Sequence, residues 1–512
     1  MTLPVLSILI VMPFAGALVA GVMKDPAMSR RVGVSVALGT LFLALGIVSN
    51  FDPSVHGPQL FELALDLGPA GSRPLLAMDA LSAPLLPLTA LLTLGVVVAA
   101  PRSQVNQDGI AAVLSMTGAT LGLMLSRNIG LLAIFWLGTL LPGMVRVARL
   151  PDPHARIPLS RSFGVFLFGT SAPLMGVVWW LGELAWRSRL SAPLDLDEIA
   201  TLQLPIGSQW LVLVLLMFAV AVRKGVFPFH SWLPLFAERG TTGVTSLLLG
   251  VHSAIFLVAR LVIPLAPQAS ALAMPYVAIG GLVGALLGAL LALAQTDLKR
   301  MLGYLAVSQS GLMMVGLASL NEQSIGGVLL QSMGIGIATA GLYLVVRGLE
   351  ARVGTTDVRR LGGLVARAPR MAALFFLLAV AAAGFPGSMS FIGEDLLLHG
   401  VIESHPIVAT IFVLITALNG ITLVRAFMRT FLGRPASRSR TEGPLPMPDL
   451  LLRERATALL LAAVIFGFGV VPGPLLRARA HAVAELAILQ DRSSSHASPH
   501  PHSSDSSQSQ HE

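Results

Sequence analysis

Three ionisable positions fall inside stretches that are otherwise apolar. Lys224, preceded by Arg223, lies about 15 residues into an apolar run that begins near residue 209. His252 lies near the middle of the next run, 243–265, and Glu394, followed by Asp395, lies in the run 371–402. A charge at a bilayer centre costs roughly 2.5–3.5 kcal/mol on insertion scales, so such groups are retained for use or are paired. The chemistry they offer is proton transfer. A lysine or a carboxyl taken out of water can hold and release a proton, and imidazole changes charge between pH 5 and 8. Arg223 stays charged, which suits electrostatic bias rather than titration. His230, just past Lys224, could join such a site to water, and Asp395 is an accessory carboxyl beside Glu394. The plainer readings are that Arg223 and Lys224 snorkel to a headgroup layer and that His252 is a hydrogen-bonding contact between helices. His399, close to the end of its run, reads as interfacial.

The elements that must position these groups are membrane spans, each needing about 20 mostly apolar residues. Fourteen are predicted, at 2–23, 32–50, 78–100, 109–126, 128–148, 162–185, 209–236, 243–265, 272–294, 302–318, 324–349, 371–402, 405–433 and 454–476. Residues 2–23 read as a first span rather than a signal peptide, since they lack its charged start and its cleavage site. Two spans carry breaks. Gly225-Val226-Phe227-Pro228 interrupts span 7 and Gly384-Phe385-Pro386-Gly387 interrupts span 12. Proline removes a backbone donor there. Each break is in the fourth helix of a group of five, which predicts an inverted pair of repeats over 109–265 and 272–433, preceded by helices 1–3 (1–108) and followed by a last span. Matched interrupted segments are the sequence pointer to a transporter's ion site. Lys and Arg in alternate loops, with those near the span ends beside them, number 24 on one side and 8 on the other, leaving out Arg223 and Lys224. By the positive-inside rule both termini are expected outside, in the periplasm of a Gram-negative bacterium.

Composition agrees with an all-α polytopic membrane protein. Of 512 residues 54% are hydrophobic and 12% charged, about half the charged share of a soluble domain, and mean hydropathy is +0.79. There is no cysteine, hence no disulfide or Cys-held iron–sulfur cluster. No dinucleotide fingerprint or Walker A loop is present, so no cofactor is expected in this chain. The pI near 10.8 would fit nucleic acid, but the basic residues crowd the short loops, so no nucleic-acid partner is expected. The tail from Asp491 holds His496, His500, His502 and His511; disorder is expected there in preference to metal binding.

The string Lys224-Gly-Val-Phe-Pro-Phe-His-Ser-Trp-Leu-Pro234 resembles a signature of the antiporter-like membrane subunits of respiratory complex I. These are its L, M and N subunits, with relatives in Mrp-type cation/proton antiporters and membrane-bound hydrogenases. Gln295-Thr-Asp-Leu-Lys-Arg300 with the run to Gly311, Met78-Asp79-Ala80-Leu81-Ser82, Phe256-Leu-Val-Ala-Arg260 and Gly384-Phe-Pro386 resemble further motifs of that family. The resemblance runs from about 75 to 430. It implies 14 core helices, an inverted repeat and a mid-membrane line of charged residues, with His252 and Glu394 at positions where members carry lysine or glutamate. Three positions depart: Leu137 stands for the family's span-5 glutamate, Arg223 occupies the usual place of the span-7 lysine, and Ile335 stands for the span-11 histidine.

The resemblance implies a proton-translocating subunit of an NADH:quinone oxidoreductase-type assembly in the bacterial inner membrane, driven by partner subunits. Protons, or sodium in their place, would pass through Lys224, His252, Lys299 and Glu394, with Arg223, His230 and Asp395 accessory. The competing readings are a subunit of a cation/proton antiporter or of an inorganic-carbon uptake complex, and a transport-inactive structural subunit.

Overall fold

Without water to satisfy backbone N–H and C=O groups, an apolar segment in lipid closes its hydrogen bonds internally as helix. Helix starts along the chain carry the matching local chemistry. Asp25 and Asp152 cap helices whose first turn holds proline, Asp297 accepts from Arg300 N, Asn321 from Ser324 N and Ser388 from Phe391 N, so orphan donors of the first turn are answered. In this computed structural model residues 4–484 are described, apart from 53–54, 56, 67–71, 102–106, 151, 434–446 and 482. The predicted disordered tail lies outside the described residues.

The chain is a multi-pass helical membrane protein. Each of the predicted spans contains helix. By length and composition, however, ten described helices can cross a membrane, or up to twelve if bent pairs are single spans, while Leu85–Ala99 and Pro369–Ala382 are shorter apolar helices. Span 11, Glu322–Val353, is buried through its long apolar middle, and span 10, Leu298–Ala318, nearly so. The bundle is built around these two. Span 9, Pro267–Ala294, closes on span 10 through small residues: a Cβ on Gly281 would lie 2.8 Å from the Gly311 carbonyl oxygen, and one on Gly288 would lie 2.7 Å from Ser308 N. Small residues let membrane helices approach backbone to backbone. Gly334 of span 11 approaches Ser390 of span 12 in the same way.

Four features differ from the sequence reading. Residues Gln59–Asp66 (β1) and Ser72–Met78 (β2) form an antiparallel hairpin, so the fold is not wholly helical. Pairing across the hairpin satisfies backbone groups of a segment too polar to span. Its Leu76 bridges to Ser126, which joins it to one end of the bundle, here the hairpin end. Span 5 divides into Ile129–Gly138 and Leu141–Ala148. Span 8 is also broken, with Thr242–Gly250 and Ser253–Leu265 bent by 40° around Val251 and His252. Beyond span 14, Leu452–Val470, a second helix Gly473–His481 turns away by 76°.

The two predicted breaks are built alike. In span 7, Gly225 at φ +63° ends the helix, with Gly225 N donating to Val222 O, Val226 N to Ala221 O and Phe229 N to Val226 O. In span 12, Gly384 at φ +71° does the same, with Gly384 N donating to Ala381 O, Phe385 N to Val380 O and Ser388 N to Phe385 O. The patterns coincide at a constant offset of 159 residues. Both are Schellman-like ends that need a left-handed residue, for which glycine carries no Cβ penalty.

Candidate functional site

Lys224 is the last residue of the half-helix Ile206–Lys224 and is 7% exposed. Its backbone turns away at Gly225, so the side chain ends opposite the break of span 8. There Val251 is extended and His252 stands just before the half-helix Ser253–Leu265. Lys224 Nζ and His252 Nδ1 are 2.7 Å apart. With lysine charged, the ammonium donates to a neutral imidazole; after transfer along the bond, a cationic imidazole donates to a neutral amine. Two interrupted helices thus present one hydrogen-bonded pair along which a proton can move. The sequence reading placed both residues on the path, and His252 faces the span-7 break. It missed that span 8 itself is broken, for which Gly250 was the available signal.

Arg223 does not share the histidine. Its guanidinium stacks on Trp136 of span 5, 4.0 Å from the ring centroid, and donates to Thr139 Oγ1 at 2.7 Å. Cation–π contact and a hydroxyl hold it where no carboxylate does. Leu137, next to Trp136, has no polar group to offer. Arg223 and Lys224 both line a cavity of about 20 Å³ between spans 4, 5, 7 and 8.

His252 also lines a second cavity of about 10 Å³ with Thr89 and Ser332, and its Nε2 is buried without a protein partner. This is close to the space one water needs. Next to Ser332 in span 11, Gln331 donates to Gln309 Oε1 at 3.4 Å. Gln331 and Thr416 also interact with the Glu394 carboxyl. Glu394 lies in the half-helix Met389–Ser404, 8% exposed. Its Oε2 lies 2.5 Å from where a Cβ on Gly384 would stand. Gly384 therefore serves twice: its φ makes the break, and its missing side chain makes room for the carboxyl. Asn419 donates to Ser308 Oγ at 2.9 Å, also in the interior.

The remaining predicted residues sit apart from that line. Lys299, in the first turn of span 10, pairs with Glu350 Oε1 at 2.6 Å, and Arg347 with Glu350 Oε2 at 2.6 Å. That triad is at the end opposite the hairpin, and no described contact joins it to His252. His230 packs its ring against Phe227 and Tyr304. Asp395 points outward, its side chain about half exposed, with His399 Nδ1 3.5 Å from its carboxylate.

One charged cluster carried no role in the sequence reading. Asp79, 4% exposed, lies beneath the hairpin. Arg260 of span 8 bonds its Oδ2, Arg127 Nη1 is 3.9 Å from the same oxygen, and Ser82 N donates to Oδ1 at 2.9 Å. Arg127 also bonds Asp197. Arg479, on the last described helix and 1% exposed, donates to Leu81 O at 3.2 Å and Met333 Sδ at 3.0 Å. The motifs around Asp79 and Arg260 were visible in sequence; nothing there marked Arg479.

A profile for the family described as NADH:quinone oxidoreductase/Mrp antiporter, TM matches residues 126–419. The NADH-quinone oxidoreductase subunit M of Pseudomonas aeruginosa is 30% identical over 410 residues, covering 78% of this chain and 79% of that protein. Among solved structures, a chain of respiratory complex I from Thermus thermophilus superposes with a TM-score of 0.83 at 26% identity, over 94% of this chain and 99% of that one. A chain of the Mrp complex from Dietzia superposes with a TM-score of 0.78 at 22% identity, over 95% and 98%, a likeness of fold.

Proposed function

The chain belongs to the NADH:quinone oxidoreductase/Mrp antiporter transmembrane family, and from that membership we propose that it is a proton-translocating membrane subunit of a multisubunit complex of the NADH-quinone oxidoreductase kind. Energy comes from partner subunits. The observation that carries the reading is the 2.7 Å Lys224–His252 pair held between two helix breaks, where irregular backbone lines a cavity. From His252 the proton passes through water beside Thr89 and Ser332 to the Gln331–Gln309 pair and on to Glu394. Lys299, with Glu350 and Arg347, forms a charged mouth at the end opposite the hairpin, and His230 and Asp395 adjoin the path as accessory groups. Matching backbone patterns at the two breaks support an inverted repeat over 109–265 and 272–433. The complex reconstituted in vesicles tests the reading: Glu394→Ala is expected to lower proton uptake several-fold with assembly intact, and full uptake would remove Glu394 from the path.

The same reading sets orientation. The loop around 354–368, with Arg359, Arg360 and Arg367, belongs to the basic side and faces the cytoplasm, while the hairpin and the C-terminal tail face outside. A tag after residue 484 is expected to be labelled in intact cells by an impermeant reagent; labelling only after permeabilisation would reverse the orientation.

A further inference from the structure

We propose that the cavity between Arg223 and Lys224 binds one monatomic anion, chloride being the physiological candidate. The cavity lies in the interior and is lined by Arg223, Lys224, Thr120, Thr139 and Ser253 among others, with no carboxylate in its wall. Two basic groups thus face one enclosed space without an acidic partner, a costly arrangement for buried charge. Arg223 Nη1 is buried and makes no hydrogen bond to protein, although Nη2 is held by Thr139. A guanidinium donor free in a low-dielectric pocket is what a small anion requires.

The surrounding backbone agrees. Ser253 and Ala254, which line the cavity, begin the 13-residue half-helix Ser253–Leu265, whose first N–H groups and dipole favour negative charge. The opposite helix end, at Lys224, would favour a cation, but two of its carbonyls are occupied: Val222 O accepts from Gly225 N and Trp232 Nε1, and Ala221 O from Val226 N. Thr120 Oγ1 donates its proton to Met116 O. A volume of about 20 Å³ leaves room for one small particle, and the two basic groups facing it suit a single spherical ion. A bound anion would complete the charge balance that Leu137 does not supply, and it would hold Lys224 in its charged form until the proton moves to His252.

The site deepens the proton-path reading, yet binding can be measured without transport. Trp136 stacks on Arg223 and Trp232 lines the cavity, so tryptophan emission reports occupancy. The full-length chain in detergent is titrated with iodide at constant ionic strength, with gluconate as the balancing ion. The expected result is a saturable quenching component that chloride reverses. Arg223→Gln is expected to weaken it at least tenfold, and Arg223→Lys to retain it. Quenching that is linear and indifferent to chloride in the unaltered chain overturns the site, as does saturable binding equal in Arg223→Gln. If iodide binds as expected while Lys224→Ala still translocates protons at the normal rate, the path fails and the anion site stands.

Discussion

Lys224→Ala is expected to lower proton translocation by the assembled complex more than tenfold, with assembly unchanged. Alanine leaves His252 Nδ1 without the group 2.7 Å away, and no other basic side chain can take its place. Arg223, the nearest cation in sequence, is held by Trp136 and Thr139 and keeps its proton in any case. His252→Leu is expected to give a loss of similar size, because the proton on Lys224 then has no acceptor toward Ser332. Groups that act as one unit are grossly non-additive, so the double variant is expected to be no slower than the slower single. Proton uptake in reconstituted vesicles decides it. A double variant whose loss is the product of the single losses would mean that the two residues act independently and do not work as a pair.

Asp79→Ala is expected to destabilise the chain by about 3–5 kcal/mol, the usual cost of removing one partner from a buried ion pair. Asp79 answers Arg260 directly and lies within 3.9 Å of Arg127. Arg127 keeps Asp197, but Arg260 loses its only described carboxylate. The cluster joins the hairpin, the turn after span 4, the second half of span 8 and, through Leu81, Arg479 of the last described helix. Arg260 lies on the half-helix Ser253–Leu265, which His252 immediately precedes, so loosening it should also shift His252 from Lys224. Thermal unfolding in detergent, read alongside proton uptake, tests both parts. Asp79→Glu keeps the charge and is expected to recover part of the stability. A melting curve for Asp79→Ala that overlays the parent would show that the arginines do not depend on this carboxylate.

Much of the architecture was legible in the one-dimensional pattern because lipid imposes a simple rule: about 20 apolar residues in a row form a helix, and charges inside them stand out. That rule located the spans, and it marked Lys224, His252 and Glu394 by their cost. Glycine followed closely by proline marked the breaks at Gly225 and Gly384. The rule had nothing to say about Gln59–Met78, where a hairpin depends on pairing between strands. It also passed over the break at Val251, where no proline interrupts an apolar run.

Ion pairing was the least legible part. Lys299 and His252 look alike in sequence, as ionisable groups near apolar segments, yet one is closed into a triad with Glu350 and Arg347 and the other lies open between a lysine and a small cavity. Asp79, Arg260 and Arg479 are up to 400 residues apart in the chain and meet only because spans 3, 8 and the last helix end at the same level. The apolar pattern, local in origin, determined that this chain crosses the membrane many times and which residues are out of place there. Which of them share a proton, which neutralise each other and which face a cavity was decided only by tertiary packing, because a charge in low dielectric is governed by the groups within a few ångströms of it, and those come from distant parts of the chain.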